Sequence, residues 1–310
     1  MSALISGSVA YDSIMVFQDQ FKNHILPDKV HMLSVSFLVP EMRKEFGGCA
    51  GNIAFNLKLL GGDPLPMATV GKDFGPYGDW MDKLGINRRH VTVIENEFTA
   101  QCFITTDLDD NQIAAFHPGA MGVAHMNDVG DAEGADIAIV SPDAPRAMFD
   151  HAAQCVDNDI PFIFDPGQQL PMLNGDELRQ FIDQATWLAV NDYEWSLIED
   201  KTSMSLQEAI SKVKALIVTK GGEGSTIYAE GKEFSIEAAK PEALLDPTGC
   251  GDAYRAGLLY GLTNDMDWDT TARIASLMGA YKIEKAGTQN HSFEMSDFEA
   301  RFKENFGREI

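Results

Sequence analysis

Residues 246–252 read Asp246-Pro-Thr-Gly-Cys-Gly-Asp252 and run directly into Ala-Tyr-Arg-Ala-Gly-Leu-Leu-Tyr-Gly. Glycines at 249 and 251 permit a tight turn whose backbone amides converge, and the pattern after them opens a helix. That helix carries Ala253, Ala256, Gly257 and Gly261, small residues that predict a close approach to a sheet. Amides converging at a helix N-terminus favour an anion, because unpaired donors and the helix dipole point the same way. Asp252 at that position has two readings. It is either a plain capping acid in the first turn, or a carboxylate facing the anion that takes a proton from an attacking hydroxyl.

Outward from this turn, short apolar runs alternate with helical patterns. Ala3–Val9, Met67–Val70, Ile137–Val140, Phe162–Phe164, Trp187–Val190 and Ala215–Thr219 read as strands bounded by breakers. Ser225–Ala229 and Lys232–Ile236 read as a hairpin. Apolar residues at helical spacing predict helices over Ile53–Leu60, Tyr77–Leu84, Arg146–Asn158, Asp176–Gln184, Asp252–Leu262 and Thr270–Glu284. This alternation predicts an α/β class, a three-layer α/β/α core with a mainly parallel sheet. Two excursions rich in β-formers, about 13–46 and 91–118, leave and rejoin it. They could pair into a small β-sheet lid, or stand as two long surface hairpins. With no repeat or interdomain linker, residues 1–310 read as one discontinuous unit.

The 310 residues contain 24 Lys+Arg against 47 Asp+Glu, a formal net charge of −23. Such a chain lacks the basic stripe that a sequence-independent grip on nucleic acid needs, and is repelled by anionic lipid. Apolar residues at 45% and charged residues at 23% are ordinary for a globular protein and leave ample core. Cys49, Cys102, Cys155 and Cys250 are too scattered for a zinc site or a disulfide framework. The N-terminus reads as a first strand rather than a signal peptide, no apolar run is long enough to span a membrane, and the expected compartment is the cytoplasm.

A second glycine cluster, Gly47-Gly48-Cys49-Ala50-Gly51-Asn52, precedes another helix. Glycine there lets a ligand approach the backbone, and Asn52 can donate to and accept from a hydroxyl; an ordinary loop into a helix fits equally well. The chain has no GxxxxGK[ST] loop, no complete GxGxxG opening a helix, no protein-kinase HRD or DFG set and no GxSxG elbow.

These two signatures, about 200 residues apart and in this order, resemble those of the PfkB (ribokinase-like) family of sugar and nucleoside kinases, and within it the bacterial adenosine kinases. Gly7–Asp12, Val35–Val39, Phe116–Met121, Asp165–Gln169, Asn191–Trp195 and Gly287–Gln289 extend the resemblance over nearly the whole chain. It implies an ATP-dependent kinase converting adenosine to AMP, with Asp252 as catalytic base and the amides of Gly249, Cys250 and Gly251 as anion hole. Asp12 would hold the ribose hydroxyls, with Gly48 and Asn52 completing the sugar site. Ser8, Ser36, Gln168 and Gln169 match adenosine-site positions, and Phe103 and Phe116 would cover the base.

On the donor side, Thr219, Gly221, Gly222 and Gly224 resemble the loop that receives ATP, with Thr248 and Gln289 beside it. Asn191 and Glu194 match an NxxE motif that organises Mg²⁺ and phosphate. The resemblance also implies K⁺ beside the anion hole, through Asp246, Thr248 and the loop near Ile283–Asn290, and a homodimer paired through the lid. Ribose, hexoses, inosine and guanosine are alternative acceptors, and a nucleoside-binding regulator without turnover is an alternative role. Cys49 and Cys250 stand where the family usually has small residues, and both read as buried thiols rather than nucleophiles.

Overall fold

The structure, a computed structural model, describes residues 1–25, 34–109 and 111–310. Residues 26–33 of the first excursion and residue 110 of the second lie outside the described residues.

In chain order the strands are β1 (Ser2–Ser6), β2 (Ala10–Val16), β3 (Glu41–Gly47), β4 (Asp63–Gly71), β5 (His90–Ile94), β6 (Ala100–Thr106) and β7 (Gln112–His117). There follow β8 (Ala135–Val140), β9 (Phe162–Phe164), β10 (Trp187–Asn191), β11 (Ala215–Thr219), β12 (Ser225–Ala229) and β13 (Lys232–Ile236). The helices begin with α1 (Cys49–Leu59), α2 (Gly75–Leu84), α3 (Pro145–Asp157), α4 (Gly175–Gln184) and α5 (Asp192–Thr202). They continue with α6 (Leu206–Lys212), α7 (Cys250–Thr263), α8 (Trp268–Ile283) and α9 (Met295–Phe306).

Strands that are apolar on both faces belong inside a sheet covered by helices on each side. In β1, Ala3 and Ile5 join the cluster beneath α1, α2, α7 and α8, while Leu4 joins the one beneath α3 to α6. β8 divides the same way, Ile137 and Ile139 against Ala138 and Val140. The nine strands run in the order β13-β12-β11-β10-β9-β8-β1-β4-β5, parallel except for the hairpin strands β12 and β13. Strand order reverses at β1: the chain steps one way to β4 and β5, and the other way from β8 to β11. In such sheets a crevice opens beyond the carboxyl ends of the strands at the switch point.

β3-β2-β6-β7 form a separate four-stranded sheet. The expected boundaries need two corrections. The small sheet starts at Ala10, and Val91–Ile94 is not part of it, since β5 pairs in parallel with β4 in the large sheet. The small residues of α7 are also reassigned. A side chain at Gly257 would strike the Ala275 backbone at 2.4 Å, and one at Gly261 would meet Thr271 Oγ1 at 2.2 Å, so these glycines admit α8 rather than the sheet. On the far side of α8, Phe298 and Phe302 of α9 are fully buried against Leu277 and Met278. At i and i+4 they present one apolar stripe, stabilising by about 1.5–3 kcal/mol each.

Candidate active site

The two glycine signatures meet in space. Gly249, with φ 82°, caps α7, a left-handed backbone that a side chain would strain. Among the described residues the amides of Gly249, Gly251 and Asp252 have no partner within the chain, whereas Cys250 N–H donates to the Pro247 carbonyl at 3.1 Å. The free amides of the turn are thus 249, 251 and 252 rather than 249 to 251. Across the crevice, Asn52 Nδ2 donates to Asp252 Oδ2 at 2.8 Å. The Asn52 oxygen accepts from Gln289 Nε2 at 3.0 Å, and the Gln289 oxygen accepts from Trp80 Nε1 at 3.0 Å. Since an indole can only donate, this chain fixes the orientation of both amides. Burial raises the Asp252 carboxyl to about 7, with the Asn52 bond working in the opposite direction.

A cavity of about 680 Å³ lies over Asp252, within the range usual for small-molecule sites. Its polar wall holds Ser8, Asp12, Gly48, Asn52, Gln168 and Gln169, and its apolar cover holds Ile104, Phe116, Met121 and Met172. Ser8 Oγ accepts from the Cys49 amide at 3.1 Å, which leaves its own hydrogen free to donate. Asp12, on β2, is raised to about 6, by burial first and then by Glu45 and Asp246. Two expected residues are not among the lining. Ser36 is exposed, and Phe103 lies one position out of register: Cys102 and Ile104 face the cavity, and the alternation of β6 turns Phe103 to the opposite face, where it is 42% exposed.

A second cavity of about 460 Å³ is lined by Thr219, Gly221, Gly222 and Gly224, and by Ala238, Leu244, Ala280 and Ile283. Gly251 lines both cavities, so they meet at the turn with free amides. Thr248 lines the first cavity and not the second. Gln289 is buried behind Asn52, away from the second cavity, so its place is the hydrogen-bonded chain and not that cavity's lining.

Asn191 and Glu194 line neither cavity. They form a capping box on α5: Asn191 Oδ1 accepts from the Glu194 amide and Glu194 Oε2 from the Asn191 amide, each at 2.7 Å. Burial raises the Glu194 pKa, opposed by the Arg255 guanidinium. Among the described residues no three His, Cys, Asp or Glu side chains stand together as a metal site. Each Asp246 carboxylate oxygen accepts one backbone amide, from Thr248 and Gly287 at 2.9 Å each. Burial pushes the Cys250 thiol up to about 11 and the Cys49 thiol well above its ordinary value, so neither is a ready nucleophile or an easy target for oxidation.

Arg255 was not singled out from the sequence. One turn after Asp252, it is buried in an ion pair with Asp165 at 3.0 Å and donates to the Ala189 carbonyl at 3.3 Å. Its three-residue spacing from Asp252 is the signal that could have found it. Lys282, Tyr77 and Trp80 gave none, being ordinary members of helical patterns.

A turn of free amides at a helix N-terminus, a carboxylate held over it and two cavities meeting there define a phosphotransferase acting on a hydroxyl group. A family model described as pfkB family carbohydrate kinase matches residues 8–294. The fold is ribokinase-like, and the chain belongs to the PfkB family of carbohydrate kinases. Among solved structures it is similar to the Burkholderia thailandensis nucleoside kinase in complex with inosine, at 48% identity and a TM-score of 0.91, covering 99% of this chain and 100% of that one. The same kinase in complex with ADP-inosine gives 51% identity and a TM-score of 0.88, covering 99% and 97%. The Methanocaldococcus jannaschii nucleoside kinase is 31% identical over 83% of this chain and 85% of that protein. No described helix is long and apolar enough to cross a membrane.

Proposed function

We propose that the protein is an ATP-dependent nucleoside kinase that phosphorylates the 5′-hydroxyl of a purine ribonucleoside, adenosine foremost, giving AMP and ADP for purine salvage. The observation that carries this reading is the meeting of the two cavities at Gly251, directly beside Asp252. The nucleoside lies in the larger cavity. Asp12, ionised at neutral pH, accepts from the two vicinal ribose hydroxyls. Phe116 and Ile104 cover the base, and Gln168 and Gln169 read its polar edge. ATP lies in the second cavity with its γ-phosphate at the amides of Gly249, Gly251 and Asp252.

Asp252 takes the hydroxyl proton as the oxygen bonds to the γ-phosphorus. The bond from that phosphorus to the β–γ bridging oxygen breaks, and ADP leaves with the electron pair. The free amides and Arg255 offset the charge that moves. Mg²⁺ would come with the nucleotide, whose phosphate oxygens together with water supply most of its ligands, since the described residues offer no preformed cluster. Glu194, whose capping box leaves Oε1 free, would hold Mg²⁺ directly or through water, and the ion would neutralise phosphate charge.

The small sheet serves as a lid, closing over the acceptor and excluding water as a competing acceptor. Its other face carries Met42, Phe103 and Ile113, all exposed and on one side by strand register. That face is where two chains pair into a homodimer.

Inosine is the second reading for the acceptor, favoured by the inosine-bound relative at 48% identity. An assay with Mg-ATP and adenosine, inosine, guanosine, ribose and fructose separates these readings. Phosphorylation of the free sugars alone refutes the base pocket. Adenosine binding by calorimetry without turnover of anything identifies a regulator instead.

A further inference from the structure

Behind the turn that frees the 249, 251 and 252 amides lies a lysine with no exposed surface. Lys282 is in the last turn of α8, and its Nζ donates to the carbonyls of Asp246 at 2.7 Å and Lys285 at 3.1 Å. A side chain at Gly249 would come within 3.6 Å of Lys282 Cε, so the stem passes directly under the turn. The same helix end anchors the approach to the turn, since the amides of Leu245 and Asp246 both donate to the Ile283 carbonyl. The segment 245–249 is thus docked on the end of α8, with the ammonium at the join.

The K⁺ expected beside the anion hole does not fit these residues. The Asp246 carboxylate accepts one backbone amide on each oxygen, and the Asp246 and Lys285 carbonyls already face an ammonium. A second cation there would stand against Lys282. Nor is the lysine surplus charge, because Asp246 and Asp252 lie near enough to favour its charged form while burial lowers its pKa. A buried ammonium is costly even when hydrogen-bonded, and this one donates to the segment that carries the turn, at the Asp246 carbonyl.

We propose that Lys282 is this enzyme's tethered monovalent cation, bracing the anion-hole turn and supplying positive charge beneath it, so that phosphoryl transfer requires no K⁺ from solution. The proposal rests on the kinase reading of the Gly249–Asp252 turn. Lys282 does not touch the reactants; it acts through the turn as a positioning residue.

The test begins with wild-type protein, at constant ionic strength in potassium, sodium or tetramethylammonium chloride, with Mg-ATP and the acceptor panel. The expected result is the same turnover in all three salts. A rate raised several-fold by K⁺ overturns the proposal while leaving the kinase reading intact. Absence of turnover in every salt overturns the kinase reading itself, and with it the reaction assigned to Lys282. Lys282→Met, checked for fold by circular dichroism, should lower kcat by about tenfold or more with acceptor KM little changed. Lys282→Ala should recover part of that loss in potassium or ammonium chloride and not in tetramethylammonium. A folded Lys282→Met variant with wild-type kcat, or a Lys282→Ala variant that no small cation rescues, refutes the tethered-cation role.

Discussion

The side-chain amide of Asn52 donates to Asp252 Oδ2 at 2.8 Å, joining residues 200 positions apart in the sequence. The bond ties the helix after one glycine cluster to the helix after the other, and it fixes the carboxylate where the cavities meet. It also leaves one carboxylate oxygen to receive a proton.

The free enzyme should therefore titrate with Asp252. Only the carboxylate can accept the proton, and burial raises this group to about 7. kcat/KM should climb with pH through about 7 and level off above it. Asp12, raised to about 6, should add a shallower dependence below that, through nucleoside binding. A kcat/KM profile flat from pH 5 to 8 would remove Asp252 as the base.

Asp252→Asn should separate activity from stability. Loss of a general base predicts a fall in kcat of about 10²–10⁴-fold in a folded protein. The stability effect has the opposite sign. The carboxyl has an ordinary value of 3.8, taken for the unfolded chain, against about 7 when folded. Between those values the folded state binds more protons, so raising pH through that window costs stability, and the full cost remains above about 7. The asparagine variant escapes it. Its melting temperature should exceed that of the wild type at pH 8, and the difference should shrink as pH falls toward 4.

Much of this arrangement could be read from the sequence, and the reasons differ by element. Strands such as Phe162–Phe164 and Ala215–Thr219 end where expected because breakers follow apolar runs that must be buried on both faces. α5, α6 and α9 were missed. α5 and α6 have clear capping signals at Asn191 with Glu194 and at Ser205 with Glu208, and the Phe298/Phe302 pair marks α9. β5 was assigned to the wrong sheet because Val91–Ile94 alternates like a half-buried strand, and at the edge of the large sheet it is one. At the site, Ser36 is exposed and the Cys250 amide is already paired, while Ser8, Asp12, Gly48, Asn52, Gln168 and Gln169 line the cavity as their motifs indicated. Phe103 did not, because a single step along β6 exchanges the two faces. Lys282 was hidden for a different reason: only tertiary contact turns an ordinary helical lysine into a buried ammonium.

Gln289 should act on chemistry rather than on acceptor binding. Its amide holds Asn52 with the NH₂ toward Asp252, and that donor lowers the Asp252 pKa. Replacing it by leucine frees Asn52 to rotate and strands the Trp80 N–H, at a cost of about 1–3 kcal/mol in stability. In Gln289→Leu the rising limb of the pH profile should move to higher pH. kcat at pH 7 should fall and largely recover at pH 9, with acceptor KM little changed. An unshifted limb in a folded variant would show that the chain from Trp80 does not reach the base.

Phe116 and Phe103 provide a control for one another, since both are exposed aromatics of the small sheet on adjacent strands. Phe116 pairs with Cys102 across β6 and β7 and lines the acceptor cavity, whereas Phe103 pairs with Ala115 and faces away. An aromatic ring against a purine contributes about 0.5–1.5 kcal/mol beyond its buried area. Phe116→Ala should therefore raise nucleoside KM by about tenfold or more and leave any turnover of free ribose unaffected. Phe103→Glu should leave the KM of the monomer unchanged and shift the protein toward monomer in light scattering, because a charge would lie in the proposed contact face. If Phe103→Glu raises KM and Phe116→Ala does not, the register of β6 in solution is shifted by one residue from the Cys102–Phe116 pairing.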